Sequence, residues 1–369
     1  MAKTLSKSAP FLRVCKNCGE RVSDGATACK KCKATDFYET ETDYLQAHYE
    51  IIGDTLVRCA HEEKKMWLPS FLRVVGPHAF AECKKIEEIE FPFALKEIGQ
   101  NAFGGCSALQ KISLPADIER IGTGAFAYCH ALKTVEYRGL LDGFFEIEQT
   151  DLFRGLACPT LYIDGAPLEE LIVPAWVTEL KEKQFWGAKF LKRVVLPPTV
   201  KCIGAHAFEF CENLEEVVFS EGLEHIDTYA FLGTGVKEIV LPESLKTMNA
   251  CVFQSCKKLT KATVKKNLRQ IGVSAFEKCT SLREVVIAEG VQGIQTSAFR
   301  GCTDLEKIII PKSVSLVAMW AFKDCSKSKL RIYARALWKP RFWRGGSCSW
   351  NPNRCRVKWN YKKERDKNG

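Results

Sequence analysis

The chain of 369 residues is 46% hydrophobic and 27% charged, which is typical of a globular protein and excludes an intrinsically disordered one. Its net charge of +10 is uneven, because residues 1–36 carry +5 and residues 326–369 carry +12, which leaves −7 on the residues between them. No apolar stretch approaches the roughly 18 residues of a membrane span, so we expect no membrane partner.

The first 12 residues contain Lys3 and Lys7 but no apolar segment behind them. This pattern predicts a flexible N-terminus without a secretory signal, and therefore a cytoplasmic protein. Cysteines in that compartment stay reduced. The 18 cysteines are accordingly expected to be core residues, thiols or metal ligands, and not a disulfide framework.

Residues 13–35 contain two Cys-x-x-Cys pairs, Cys15 with Cys18 and Cys29 with Cys32. Four thiolates at this spacing suit one tetrahedral Zn²⁺, with each pair forming a turn around one side of the ion. The segment resembles the short zinc ribbon found at the start of many bacterial proteins. We predict a closed, structural zinc site, since four protein ligands leave no open position for a substrate.

Residues 36–49 are predicted to be a linker, and residues 51–58 a hairpin that caps the next domain. A 23-residue period then runs through a domain predicted at 50–325. Each unit has a Phe, usually after Ala, then a Cys three residues later, an aliphatic residue, a short β-type run and often a Pro. One such unit cannot bury its apolar face alone, so stacked copies must share a core. The phenylalanines are Phe80, Phe103, Phe126, Phe185, Phe208, Phe231, Phe253, Phe276, Phe299 and Phe322, with a degenerate unit near Phe153.

The fold class predicted from this period is a β-rich repeat solenoid with short helical turns and about eleven units. The glycine in Ile98-Gly99 and its equivalents is expected to permit a tight turn. The periodic cysteines are expected to pack as small hydrophobes beside the phenylalanines. Residues 161–173 interrupt the period and contain Asp164-Gly165, which predicts a second hairpin.

This pattern resembles the bacterial BspA-type (Treponema pallidum-like) leucine-rich repeat, and the resemblance covers about residues 50–360. It implies a curved solenoid with a parallel sheet on its concave side. Some proteins of this type act as surface adhesins on host matrix proteins, which gives one expectation for function. Solenoids serve many roles, so the resemblance is more specific for fold than for function.

A row of strand residues is predicted to point away from the core, because alternate side chains of a strand face opposite sides of the sheet. The row is polar at first and apolar from residue 172 onward, apart from Thr263, and from there a charged residue lies two positions before each member. An apolar row with charged neighbours is typical of a protein-binding site, although Val and Ile suit any strand position. The predicted protein-binding residues are Ile172, Val195, Val218, Val240, Val286 and Ile309.

Residues 326–369 are predicted to be a C-terminal cap followed by a basic tail. Part of this segment resembles the Trp-containing end cap of BspA-type repeats. Its interleaved aromatic and basic residues also suit a stacking surface for single-stranded nucleic acid. For that alternative, the predicted contact residues are Lys30, Lys31, Lys33, Arg341, Trp343 and Arg344.

No nucleophile is paired with a base, no phosphate loop is present, and the six histidines have no metal-ligand spacing. We therefore predict a protein that is not an enzyme and has no small-molecule substrate. The main hypothesis is a module that binds an unknown protein partner through the concave sheet of its solenoid, with the zinc ribbon as a structural or auxiliary binding head. Nucleic-acid binding through the basic ends and a BspA-like adhesin are the two alternatives.

Overall fold

A computed structural model of the chain describes residues 13–16, 21–23, 26–38, 40–149, 151–156, 159–336, 343 and 349–361. The chain divides into two compact units, Met1–Leu168 and Glu169–Gly369. The predicted flexible N-terminus at 1–12 and residues 362–369 of the predicted tail lie outside the described residues.

The first unit contains a small head followed by paired long and short strands. In chain order its elements are β1 (Arg13–Cys15), β2 (Arg21–Val22), β3 (Phe37–Tyr38), α1 (Glu41–His48), β4 (Tyr49–Ile52), β5 (Thr55–Cys59), β6 (Lys65–Trp67), β7 (Val74–Val75), β8 (Glu88–Glu90), β9 (Glu97–Ile98), β10 (Lys111–Leu114), β11 (Arg120–Ile121), β12 (Thr134–Tyr137), α2 (Leu141–Glu146), β13 (Glu148–Gln149), β14 (Thr160–Ile163) and β15 (Ala166–Pro167).

The second unit repeats the same alternation of strands. Its elements are β16 (Glu170–Ile172), β17 (Glu179–Leu180), β18 (Arg193–Val195), β19 (Cys202–Ile203), β20 (Glu216–Val218), β21 (His225–Ile226), β22 (Glu238–Val240), β23 (Thr247–Met248), β24 (Lys261–Val264), β25 (Gln270–Ile271), β26 (Glu284–Ile287), β27 (Gly293–Ile294), β28 (Lys307–Ile310), β29 (Leu316–Val317), β30 (Arg331–Ala334) and β31 (Arg356–Lys358).

In each unit the long strands pair with long strands and the short strands with short strands, and the pairing is mainly parallel. In the first unit the long strands follow the order β6-β8-β10-β12-β14 and the short strands β5-β7-β9-β11-β13. In the second unit the long strands form β16-β18-β20 and β22-β24-β26-β28-β30-β31, and the short strands form β17-β19-β21-β23 and β25-β27-β29. Consecutive repeats therefore pair strand to strand, as a solenoid requires.

A column of stacked phenylalanine rings fills the core of each unit. Phe80, Phe103 and Phe126 stack in the first unit, with ring centroids 4.8 and 5.3 Å apart. In the second unit the column runs from Phe185 to Phe322, with centroid spacings of 5.3 to 5.6 Å. These rings are 0–2% exposed, which confirms the predicted core register.

The described part of the chain makes about 13 turns, compared with the eleven units predicted. The phenylalanine count itself was right. The difference arises because each unit ends on a long strand that has no phenylalanine of its own, β14 in the first unit and β30 in the second. The predicted solenoid boundary at residue 325 is therefore too early, since β30 pairs in parallel with β28.

The glycines that follow the short strands have a different role from the one predicted. Gly99 has no left-handed backbone, so it is not needed for a tight turn. A Cβ atom at Gly99 would lie 2.5 Å from the Pro77 nitrogen, and one at Gly122 would lie 2.5 Å from the Gln100 nitrogen. These positions require glycine because successive repeats approach each other backbone to backbone.

The predicted linker at 36–49 is structured. Phe37–Tyr38 forms β3 of the head sheet, and Glu41–His48 forms helix α1. Thr40 begins the helix through a capping box with Asp43, a short-range signal that the linker prediction overlooked. The buried Tyr44 then packs against the ring of Trp67 at 5.8 Å.

Antiparallel hairpins occur near both predicted positions. β4 and β5 pair across a Gly53-Asp54 turn at the start of the solenoid. β14 and β15 pair across Asp164-Gly165, but this hairpin ends at Pro167. The residues predicted to complete it, Glu170–Ile172, instead begin the second unit as a parallel strand.

Candidate protein-binding surface and metal site

The predicted apolar row lies on the outer side of the long-strand sheet of the second unit. In each of these strands the central residue is buried and its two neighbours are exposed or half-buried, as in β16, where Leu171 is fully buried. Ile172, Val240 and Val286 are 59%, 57% and 41% exposed. Val195, Val218 and Ile309 are half-buried.

Strand register holds the row members side by side. Ile172 pairs with Val195 and Val195 with Val218 in the first sheet segment. Val240 aligns with Thr263, Thr263 with Val286 and Val286 with Ile309 in the second segment. Aliphatic side chains in direct register, with the exposure given above, form an apolar strip that faces solvent.

A row of charged residues accompanies the apolar row, two positions earlier on each strand. Arg193 pairs with Glu170 and, at 3.0 Å, with Glu216. Lys261 pairs with Glu284 at 3.4 Å. These ion pairs fix the positions of the charged side chains beside the apolar strip. Charges in fixed positions can discriminate between protein partners.

A cavity of about 430 Å³ lies beside this charged row. Lys237 Nζ is 2.5 Å from a Glu215 oxygen there, and this ion pair lowers the pKa of Glu215. The lining is Lys192, Arg193, Glu215, Glu216, Lys237 and Glu238, so acids and bases balance. The cavity contains no group that could act as an unpaired nucleophile.

The same row in the first unit has a different chemistry. Ser113 donates to Glu136 at 3.0 Å and accepts from Arg138 Nε at 2.9 Å, and Lys111 lies 3.1 Å from Glu136. These contacts lower the pKa of Glu136, with the Lys111 hydrogen bond as the largest cause. Polar groups that are already satisfied by one another make this row a weaker docking surface than the apolar one.

The head brings three of the four predicted zinc ligands together. The sulfur atoms of Cys15, Cys29 and Cys32 all lie within 4.8 Å of one another, and those of Cys15 and Cys32 are 3.5 Å apart. Sulfurs bound to one tetrahedral Zn²⁺ at 2.3 Å would be about 3.8 Å apart, so this cluster fits the ion. Cys18, the fourth predicted ligand, lies outside the described residues.

Arg21 connects the head to the solenoid, a contact that the sequence reasoning missed. Its guanidinium lies 4.8 Å from the centroid of the Trp67 ring and 3.4 Å from a Glu90 carboxylate oxygen. Trp67 and Glu90 are in register on β6 and β8. Trp67 is thus the first member of the outer row, and the head covers it.

The predicted nucleic-acid set is not supported as a single surface. Trp343 is fully buried and packs against Trp350 and Trp359 at 5.2 and 5.4 Å, so its ring cannot stack on a base. Lys30 and Lys31 line a cavity of about 450 Å³ in the head, and Lys33 is exposed. Arg341 and Arg344 lie outside the described residues.

Seven of the eight periodic cysteines are buried as predicted and donate hydrogen bonds to phenylalanine carbonyls, whereas Cys83 is half-buried. The Cys279 thiol donates to the Phe253 carbonyl at 3.0 Å, and Cys302 donates to Phe276 at 3.1 Å. Burial raises the pKa of both thiols well above the ordinary value and raises that of Cys325 to about 12. The thiols of Cys279, Cys302 and Cys325 are therefore expected to stay protonated at neutral pH and to act as packing groups.

Comparison with known proteins identifies the repeat. The family model described as the BspA type leucine-rich repeat region matches residues 45–147, 162–279 and 203–329. The chain belongs to the BspA-type leucine-rich repeat family. BspA-type repeats are generally non-enzymatic interaction scaffolds, and no enzyme family is indicated for this chain. No curated protein matches it.

Solved structures of leucine-rich repeat proteins are similar to this BspA-type chain. One from Bacteroides ovatus has 24% identity and a TM-score of 0.50, covering 73% of this chain and 78% of its own. A leucine-rich cell surface protein from Faecalibacterium prausnitzii has 20% identity and a TM-score of 0.44, covering 80% and 92%. The leucine-rich repeat protein of Treponema pallidum has 22% identity and a TM-score of 0.31, covering 67% and 92%.

The BspA-type repeats account for the solenoid, and the head lies outside the matched residues. Of the helices that the structure describes, none combines the length and apolarity needed to cross a bilayer.

Proposed function

We propose that this protein is a non-enzymatic interaction module that binds a protein partner through the outer face of the long strands of its second unit. The observation that carries the proposal is the apolar strip, whose members Ile172, Val240 and Val286 expose 41–59% of their surface in register with their neighbours. Apolar contacts along the strip supply affinity, and the fixed charges beside it supply selectivity.

The test is a pull-down from native lysate that compares wild type with Val240→Lys/Val286→Lys. Lysine at these exposed positions leaves the core intact and places two charges in the strip, so we expect loss of a bound protein. Val273→Lys is the matched control, because Val273 is 43% exposed in the same unit but lies outside the long-strand sheet. A partner retained equally by wild type and the double variant would reject the strip as the binding site.

We further propose that the head binds one structural Zn²⁺ through Cys15, Cys18, Cys29 and Cys32. The clustering of three of these sulfurs supports this assignment. When bound, the ion would fold the head and hold it in place. The residues of the head would then keep Arg21 against Trp67.

A cytoplasmic location remains our proposal. It is supported by the thiols of the solenoid, since the described cysteines from Cys59 to Cys355 are free and not joined in disulfides. The adhesin alternative predicts the opposite location. Fractionation of cells followed by immunodetection would distinguish the two, and recovery at the cell surface would overturn the cytoplasmic proposal.

A further inference from the structure

The last three long strands of the second unit present a run of positive charges that differs from the rest of the charged row. On the three preceding strands of the same sheet acids and bases alternate, with Glu238 in register with Lys261 and Lys261 with Glu284. After Glu284 the register continues through three cations, and they are Lys307, Arg331 and Arg356. Like charges directly opposite on adjacent strands are destabilising, and a bound anion would remove that cost.

These cations have no acidic partner within the described part of the chain. The nearby ion pairs use other residues, Lys329 with Asp304 and Arg335 with Glu289. Arg331 is held instead by backbone carbonyls, with its NH1 atom 2.8 Å from the Ser328 oxygen. Its guanidinium is thus positioned in advance and not neutralised.

Two of these three cations, Arg331 and Arg356, also line a concave site. Lys327, Ser328, Arg331 and Arg356 surround an open cavity of about 520 Å³. Two guanidinium groups, an ammonium and a hydroxyl are the groups that recognise a phosphate, since arginine binds its oxygens in a bidentate manner.

Two aromatic rings lie next to these charges. Tyr333 is in register with Ile309 on one side and Lys358 on the other, which places it in the outer row beside Arg331. The Tyr361 ring lies 4.7 Å from it, and Lys307 and Lys358 lie 5.7 and 5.9 Å from the two ring centroids. Both rings are half-buried, which leaves part of each open to solvent.

We propose that β28, β30 and β31 form a binding site for single-stranded nucleic acid, in which Lys327, Arg331 and Arg356 bind the phosphates and Tyr333 and Tyr361 contact the bases. Phosphate contacts beside aromatic rings are the combination used for single strands, because every base has a face that can stack. The site adjoins the end of the apolar strip at Ile309 but uses none of the strip residues, so it does not depend on the proposed protein-binding function.

The test is fluorescence anisotropy of a labelled oligothymidylate of about 12 nucleotides with the full chain, a length within the usual range of single-strand sites. Arg331→Ala/Arg356→Ala should weaken binding about tenfold or more. It should also reduce the slope of log K against log salt by about 1.4, as expected for two lost phosphate contacts. Lys257→Ala/Lys258→Ala is the matched control, because it removes two exposed cations elsewhere in the second unit and should leave binding unchanged.

Two further measurements test whether the ligand is a single-stranded nucleic acid and not another polyanion. Tyr333→Leu/Tyr361→Leu should weaken binding about fivefold or more if the rings contact bases. A duplex of the same length and polyglutamate should both compete poorly. The proposal is overturned if the arginine variant binds as wild type does, if the tyrosine variant has no effect, or if polyglutamate competes as well as the oligonucleotide. Thermal melts confirm that each variant is folded.

Discussion

At the scale of single residues, the solenoid repeatedly uses left-handed backbone two positions after its core phenylalanines. Glycine occupies this position in several repeats, including Gly187, Gly233 and Gly301, with φ of 76°, 69° and 72°. Lys278 occupies it with φ of 60°. A non-glycine residue in this conformation costs roughly 1–2 kcal/mol, so the repeat containing Lys278 carries strain that the repeats with glycine at this position avoid.

We predict that Lys278→Gly stabilises the protein by about 0.5–1 kcal/mol, because relief of this strain exceeds the extra entropy that glycine gains on unfolding. Lys278 is exposed, and its backbone N–H bonds to the Arg300 carbonyl at 2.7 Å in either variant. Urea denaturation measures the change. Lys278→Ala is the control, since it removes the same side chain and keeps the strain. Equal midpoints for the two variants would contradict the explanation.

At the scale of elements, the head is the part whose folding depends most on a bound group. Its sheet contains only the short strands β1, β2 and β3, and its buried core is small. Cys15, Val22, Cys29 and Phe37 form that core, so two of its four members are proposed metal ligands. A segment of this size rarely folds without additional stabilisation such as a metal.

We predict that removing zinc unfolds the head and leaves the solenoid folded. The purified chain should contain one Zn²⁺, Cys29→Ser should lose most of it, and Cys211→Ser should retain it, because Cys211 belongs to the solenoid core. After treatment with a chelator, hydrogen exchange should increase over residues 13–38 and at β6 and β8, where Arg21 docks. A protein without metal that retains wild-type exchange in the head would refute the zinc assignment.

At the scale of the whole molecule, the solenoid was predictable because its signal is repeated. The spacing of Phe80, Phe103 and the later phenylalanines identifies both the rings that stack and the faces of the strands. Features that occur only once in the sequence were harder to predict. Helix α1 depends on one capping box. The end of the second hairpin depends on which strand pairs with Glu170–Ile172.

The candidate sites follow the same pattern. The exposed row could be identified from strand alternation, since it recurs in every repeat. The contact between Arg21 and Trp67, and the burial of Trp343, depend on side chains far apart in the chain, which no local pattern records. The cation cluster was likewise hidden, because Lys307, Arg331 and Arg356 meet only through strand register.

The stack makes each repeat depend on its neighbours, and this leads to a prediction for the core. Phe208 is fully buried between Phe185 and Phe231, with ring centroids 5.5 and 5.3 Å away, whereas Phe210 on the same turn is 43% exposed. Phe208→Ala should lower the free energy of unfolding by about 3–5 kcal/mol through a cavity in the ring column. Phe210→Ala, the matched control, should cost far less.

Hydrogen exchange of the Phe208→Ala variant should show which repeats lose stability. In a solenoid, stability is approximately a sum of repeat and nearest-neighbour terms. Protection should therefore fall most at β18–β21, the strands that flank Phe208 in its own repeat and the next, and less at β28 and β30. A uniform loss across the second unit would show that it unfolds as one cooperative body, and a melting curve like that of wild type would contradict the stacked-ring core.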